Sequence, residues 1–563
     1  DWSSDVCSSD LRASVEYRDG VVHGPAGEDG QPRTLTFKQI AERSIGTGGP
    51  ISGHCDNGLA QGGPTYAGHI VDVEVDTDTG KVTILRYTTF EDVGTAMHPS
   101  YVEGQIQGGV AQGIGMTLTE QYFYDEQGVM RNGSLLDYRM PTTLDLPMLD
   151  VSVDFAAGSV YDVPEKSGAA GMTLGLMRLG AGGLSENEIS RRIADTGAQL
   201  ANRFDGDRSG LSLRTLTGKA ELAQALDVFS RILQQPEFPA AVLEREKARA
   251  VGAIKEADTK PETLLNRNFS RMIYGAHPYG LRGSGEAATV AALNRDDLER
   301  FYRRFYSAKR AVVAMMGDLT REQAAAIAEQ LTAGLPQGEP PAPLPPVASL
   351  ERADTRVVAH PATQSHLLVG MPGIRRDDPD YFPLYVGNYI LGGGGFVSRI
   401  TDEVRSKRGL AYSAYSYFMP LKERGPFVIG LQTRRDQAAE ALSVVRKTLA
   451  EFLAGGPTED ELRKAKQNII GGFALRIDSN RKIVENLAAI GFYDLPLTYL
   501  EDFTVSVEKV TVDEIKRAFA KHVDPARMVT VLVGADEKSA RSEEHTSELQ
   551  SHHDLVCRLL LEK

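Results

Sequence analysis

Hydrolytic zinc chemistry needs three protein ligands drawn from His, Glu, Asp or Cys and one open position for water. Histidine spacing is therefore the first constraint. In residues 151–540 the histidines are His277, His360, His366 and His522, and no two stand four apart as a helical ligand pair would require. His277 sits in YGAHPYG, a turn-rich context that predicts a packing role. His54, His69 and His98 are scattered and read as structural or exposed. No Ser or Cys nucleophile motif is present. The glycine run Leu391–Phe396, LGGGGF, lacks the Lys-Ser/Thr end of a phosphate-binding loop. It predicts instead the end of one helix and the start of the next.

Composition narrows the classes further. The chain has 563 residues, 41% hydrophobic and 25% charged, with net charge −14. That length suggests about three to five domains of ordinary globular protein. The acidic balance argues against nucleic-acid binding, which favours a basic face. No apolar run is long enough for a membrane span.

Both ends read as something other than designed protein. Asp1–Leu11, DWSSDVCSSDL, and Arg541–Ser551, RSEEHTSELQS, are translations of one common short-read sequencing adapter in its two senses. Residues 1–11 and 541–563 are therefore expected to be adapter-derived and stand outside the fold, as a tag would. Cys7, Cys557 and Trp2 go with them, and Cys55 alone makes no disulfide framework or thiolate metal cage.

Next come the elements that would position any site. Ala67–Val75 and Lys81–Tyr87 alternate apolar and polar around DTDTG, which predicts a β-hairpin. Val102–Met116 has helical spacing yet carries Gly104, Gly108, Gly109, Gly113 and Gly115. Each glycine costs a helix about 1 kcal/mol relative to alanine. The expected return is close approach to a ligand, or tight packing against another element. The segments VDVEVDTDTGKVTILRY, DVGTAMHPSYVEGQIQGGVAQGIG and SLLDYRMPTTLDLPM are similar to the molybdenum-binding subunit of the xanthine dehydrogenase and aldehyde oxidase family. The resemblance implies a molybdopterin contact at Gln112. It also implies a general-base Glu in a Gly-x-Gly-Glu segment beyond the point where the chain changes character. Gly283-Ser284-Gly285-Glu286 has those letters far downstream, where they read as a turn before a helix. This part is expected to be an incomplete fragment that neither holds the cofactor nor turns over.

The remainder carries an internal repeat. Leu293–Asp318 parallels Val510–Asp536, each an amphipathic helix, a short turn and an apolar strand. LEREKARAVGAIKE and LRKAKQNIIGGFAL match as earlier helices, and the Pro-rich run Pro336–Pro346 separates the copies as a stiff linker. Two similar α+β lobes are expected.

PEKSGAAGMTLGLMRLGAGGLSENEIS, EREKARAVGAIKEADTKP, YGAHPYG and VSRITDEVRSKRGLAYSAYSYF resemble the insulinase and mitochondrial-processing-peptidase superfamily, over about Leu146–Ala540. Active members carry an inverted zinc motif, His-x-x-Glu-His. Aligned on Ser167-Gly168, its positions fall on Gly171, Leu174 and Gly175, and the third ligand falls near Gly252 and Ala253. None of these side chains binds zinc or activates water. In the family, an Arg and a Tyr seven residues apart hold the substrate and stabilise its oxyanion. Arg405 and Tyr412 stand at that spacing here. Spacing alone is equally met by a strand beginning at Tyr412 and an arginine capping a helix C-terminus.

The combined expectation is an α+β chimera with its seam at Asp145–Asp150. Residues 12–150 form a molybdenum-hydroxylase fragment, 151–335 a first insulinase-like lobe, 336–350 a linker and 351–540 a second lobe. The family's first strand should precede the seam, so its loss would expose a sheet edge. The resemblance implies a non-catalytic subunit that pairs, as a heterodimer, with a zinc-bearing homologue to cleave peptides, with zinc in the partner and none bound here. Bacterial heterodimers of the family suggest the periplasm. The alternatives are a molybdopterin-dependent oxidoreductase fragment and an autonomous metallopeptidase.

Overall fold

The computed structural model describes residues 15–26, 32–44, 66–96, 99–134, 138–141, 148–340 and 342–534. The two adapter-like ends, His54, Cys55, His98 and Asp145–Pro147 lie outside the described residues. The chain divides into two compact units, 1–97 and 98–563.

In the smaller unit, strands β1 (Tyr66–Val75) and β2 (Val82–Asp92) pair antiparallel, with Val75 opposite Val82. The Asp76 carboxylate closes the turn by accepting from Asp78 N at 2.9 Å and Thr79 Oγ1 at 2.8 Å. Gly80 supplies the left-handed residue, φ 72°. His69 is exposed on β1.

The larger unit opens with helix α1 (Pro99–Leu118), which contains the glycine-rich run. Here the structure departs from the expectation of close approach. A Cβ added at Gly104, Gly108, Gly109 or Gly113 would meet nothing within 4 Å among the described residues, and only Gly115 is crowded, by Glu120 and Pro141.

The rest is built on two sheets. The first contains β3 (Met148–Phe155), β4 (Gln199–Phe204), β5 (Ser209–Leu216) and β6 (Ala311–Gly317), in the order β6-β3-β5-β4 and antiparallel throughout. The second contains β7 (Asp354–Val358), β8 (Gln364–Pro372), β9 (Ala411–Phe418), β10 (Pro426–Arg434) and β11 (Val529–Val533), in the order β7-β11-β8-β10-β9. There β7 runs parallel to β11, and the other pairs are antiparallel. The sheets share one topology, with β3, β5, β4 and β6 in the places of β8, β10, β9 and β11. The first sheet simply has one strand fewer.

Each sheet packs one face on its own helices. In β3 the odd residues Leu149, Val151, Val153 and Phe155 enter a core with Phe229, on α3 (Lys219–Gln234), and Phe301, on α6 (Arg295–Phe305). The two-residue period of a strand sends Asp150, Ser152 and Asp154 to the opposite face. That face is also covered, so its carboxylates are paired: Arg214 Nε donates to Asp150 at 3.0 Å and Arg208 Nη1 to Asp154 at 3.5 Å.

What covers the outer faces is a reciprocal exchange. Helix α5 (Pro261–Tyr274), from the first half, lies across β8 and β11 of the second sheet. It inserts Leu265, Phe269 and Ile273 against Leu368, Val428 and Val531. Helix α10 (Asn480–Phe492), from the second half, lies across β3 and β6 of the first sheet, setting Val484 and Ala488 against Ala314. (Helices α4 and α7–α9 are defined below.) The halves are interlocked, since neither sheet buries both faces without the other half.

Candidate functional site

Arg405 lies in a single π-helical turn, Asp402–Ser406, and Tyr412 is the second residue of β9. The β9–β10 register slips between Ala411 and Ser413, so Tyr412 is the extra residue of a β-bulge. A bulge re-aims one side chain out of the pleat. Ala411 and Ala414 are buried, whereas Tyr412 is 83% exposed. Its ring returns over Arg405, with the guanidinium carbon 4.6 Å from the ring centroid. On another side Phe396, 69% exposed, stands 4.5 Å from the same carbon. Among the described residues no carboxylate pairs with Arg405. Its neighbour Glu403 is taken by Lys407 at 2.5 Å and by Arg408 at 2.5 Å. The guanidinium is thus oriented by two aromatic faces, with its N–H edge free for a carbonyl or an oxyanion.

The scaffold that fixes this pair comes from the glycine run. Helix α7 (Tyr381–Asn388) passes into a π-helical turn, Tyr389–Gly393, and then a 3-10 turn that presents Phe396. A Cβ at Gly392 would stand 2.3 Å from Ser416 Oγ and 2.6 Å from Ser416 N, so only glycine lets this turn press on β9. Asn388 Nδ2 donates to Ser416 O at 2.9 Å, and Ser416 Oγ donates back to Asn388 Oδ1 at 2.7 Å. Thr401 Oγ1 donates to Ala414 O at 3.0 Å, tying the Arg405 turn to the same strand. LGGGGF is therefore a helix junction, as its sequence suggested.

The positions aligned with zinc ligands lie on α2 (Ala169–Met177) and α4 (Ala240–Ala257), two helices in contact. Leu174 is buried in the first core, Gly175 faces open space, and Gly252 and Ala253 are exposed. No side chain there carries a donor, so this helix pair does not fit a zinc ion. The start of α2 is nonetheless closely built. Asp162 accepts from Gly168 N at 2.8 Å and Ala170 N at 2.9 Å, and burial pushes its carboxyl up to about 6. Gly168 (φ 98°) lies against Gly285, where a Cβ on either residue would collide. Glu286 caps the short helix Ala287–Ala291 and binds Arg267 at 2.6 Å and Arg271 at 3.0 Å. The Gly-x-Gly-Glu letters thus serve backbone crossing and capping.

The histidines are structural. His277 accepts from Tyr279 N at Nδ1 and donates from Nε2 to Pro345 O at 2.8 Å. His360 repeats the arrangement with Ala362 N and Thr259 O. Asp378, Asp380 and His522 form a cluster of metal-ligand type, but Lys521 Nζ sits 2.6 Å from the shared Asp380 Oδ2 and neutralises it. His366 is buried on β8, and burial lowers its pKa. Gln112 is exposed on α1, and no built pocket around it argues for molybdopterin.

A crystal structure of a peptidase M16 inactive domain from Pseudomonas fluorescens is similar at 35% identity and TM-score 0.67, covering 74% of this chain and 98% of that one. The chain belongs to the M16 peptidase family. The M16 profile described as insulinase (peptidase family M16) matches residues 147–284, and that described as peptidase M16 inactive domain matches 292–469. Among M16 relatives, an uncharacterized zinc protease of Streptomyces coelicolor is 26% identical over 383 residues, 67% of this chain and 83% of the relative. A protein of Helicobacter pylori named a non-peptidase homolog is 24% identical over 319 residues, 56% of this chain and 73% of the relative. Ahead of the M16 part, the profile described as molybdopterin cofactor-binding domain matches residues 9–147. No helix among the described residues is long and apolar enough to cross a membrane.

Sequence reasoning missed the bulge at Tyr412 and the part played by Phe396. An aromatic directly after the glycine run was the available signal.

Proposed function

We propose that this M16 homologue is the non-catalytic partner of a zinc-bearing homologue, and that it supplies Arg405 and Tyr412 to a peptide-hydrolysis site completed in trans. The single observation that carries the reading is Arg405 held between Phe396 and Tyr412 without a carboxylate partner. Preorganised N–H and phenol donors aimed at developing charge are a principal source of catalytic stabilisation. In the partner, zinc would polarise the scissile carbonyl and activate water. In this chain Arg405 would bind the carbonyl oxygen and Tyr412 would donate to it as charge develops. The donor-free faces of α2 and α4 argue against an autonomous metallopeptidase.

The test is peptide hydrolysis by the purified chain alone, by a zinc-bearing M16 homologue alone, and by the two together. Activity that requires both supports the proposal. Turnover by this chain alone, lost on chelation, defeats it.

We further infer that residues 12–150 and 151–540 derive from two genes joined near Asp145–Asp150. The profiles for two unrelated domains abut at residue 147, which supports this reading. One amplification across codons 120 to 180 of the source DNA tests it. A spanning product from unfragmented DNA overturns it, and two separate neighbourhoods support it. The oxidoreductase alternative would require molybdenum in the purified protein.

A further inference from the structure

We propose that the outer edge of β6 is a docking site for one extended peptide strand, supplied by another polypeptide and running parallel to β6 opposite Val312–Met316.

The internal repeat sets the register. In the first sheet Met315 pairs with Val151 and Met316 with Asp150. In the second, Leu532 pairs with Leu367 and Val533 with His366. Both strands end in a glycine at positive φ, Gly317 and Gly534. Val312–Met316 therefore occupies the place of Val529–Val533. The other edge of Val529–Val533 is closed by β7 in parallel, from Asp354 opposite Val529 to Val358 opposite Val533. Among the described residues, no strand closes the equivalent edge of β6.

This chain's own sequence does not fill that place. With Met148 equivalent to Gln364, the residues equivalent to Asp354–Val358 are 138–142. Tyr138 instead stacks on Tyr122 at 5.0 Å and donates to Glu120 at 2.8 Å. Met140 N turns back to Tyr138 O, and Pro141 has no N–H to give to a ladder. The strand must then come from outside.

The repeat also specifies its chemistry. β7 reads Asp-Thr-Arg-Val-Val, with three exposed positions and then Val357 and Val358 packed on the cores at its two faces. The equivalent places on the first sheet adjoin Met315, at the first core, and Met316, beside α10. The occupant is thus an extended segment with polar residues first and two β-branched residues last. Its main-chain hydrogen bonds would supply most of the affinity, as in other strand additions.

Hydrogen exchange on the full chain tests this, with a synthetic peptide copying residues 352–361 and a control peptide carrying proline at its centre. The expected result is exchange slowed by about tenfold or more at amides within Val312–Met316, with the control inert. A nitroxide on the peptide's N-terminus should broaden Val312 rather than Met316. The proposal fails if those amides are unaffected, if protection falls on β4 or β9, or if the label reports an antiparallel strand. It fails equally if protection appears without peptide as protein concentration rises, which would mean pairing between copies of the chain.

Discussion

Tyr493 Oη donates to Asp207 Oδ2 at 3.0 Å, although the two residues stand 286 positions apart and come from different halves of the chain. The same oxygen accepts from Lys422 N at 2.7 Å, and Tyr279 Oη donates to Asp207 Oδ1. Asp207 is 1% exposed, and burial raises its pKa. One buried carboxylate thus joins the two halves, beside the exchange of α5 and α10. Tyr493→Phe should lower stability by about 1–2 kcal/mol, the net worth of one buried hydrogen bond to a charged acceptor. Because the halves are interlocked, unfolding in urea should remain a single transition over residues 148–534. Two separate transitions would mean that the halves fold independently.

Asp162 gives a pH signature. Its folded pKa of about 6 lies above the ordinary aspartate value, with burial as the leading cause. A raised acid contributes stability that is complete below the unfolded pKa and is lost as pH rises through the folded one. Between pH 7 and pH 4 the native protein should therefore gain up to about 3 kcal/mol relative to Asp162→Asn. Urea midpoints of both proteins across that range check the sign.

Glu461 should behave in the opposite sense. Arg399 grips it through two bonds, Nε to Oε1 at 2.7 Å and Nη2 to Oε2 at 2.6 Å. Its carboxyl lies at about 2, where the Arg399 and Thr458 bonds outweigh the raising effect of burial. This contribution is present above the ordinary glutamate value and is lost as pH falls through about 2. Glu461→Gln should cost about 1–2 kcal/mol at pH 7, a figure discounted for partial exposure. The gap from the native protein should close toward pH 2.

Gly392→Ala should destabilise by about 1–3 kcal/mol or more, since its Cβ would overlap the Ser416 backbone rather than a movable chain end. Gly395→Ala makes a useful comparison: nothing lies within 4 Å, but φ is 60°. It should cost only the left-handed backbone penalty, about 1 kcal/mol. Equal losses from the two substitutions would contradict the close approach of the glycine turn to β9.

Much of this architecture was legible because it is local. The helix–turn–strand repeat of 293–318 and 510–536 became α6 with β6 and α11 (Val512–His522) with β11. The helices LEREKARAVGAIKE and LRKAKQNIIGGFAL fall in α4 and α9 (Glu459–Gly471). The exposed first-sheet edge was also expected, and β6 has one. Long-range features were not readable. The amphipathic patterns of α5 and α10 show that each buries a face, but periodicity carries no record of which sheet receives it. The Asp207 contact depends on residues scattered across both halves. At the site, the seven-residue spacing of Arg405 and Tyr412 was visible, whereas the bulge that turns Tyr412 outward is one unpaired residue in a ladder, with no sequence mark. The glycines of α1 show the reverse failure: their number suggested contact, and four of them meet none among the described residues.

The most direct test of the account is peptide turnover by this chain combined with a zinc-bearing M16 homologue, comparing native protein with Arg405→Ala and Tyr412→Phe while complex formation is measured separately. The account predicts a loss in kcat of about a hundredfold for Arg405→Ala and a smaller loss for Tyr412→Phe, with assembly unchanged. Undiminished turnover in both variants would contradict it.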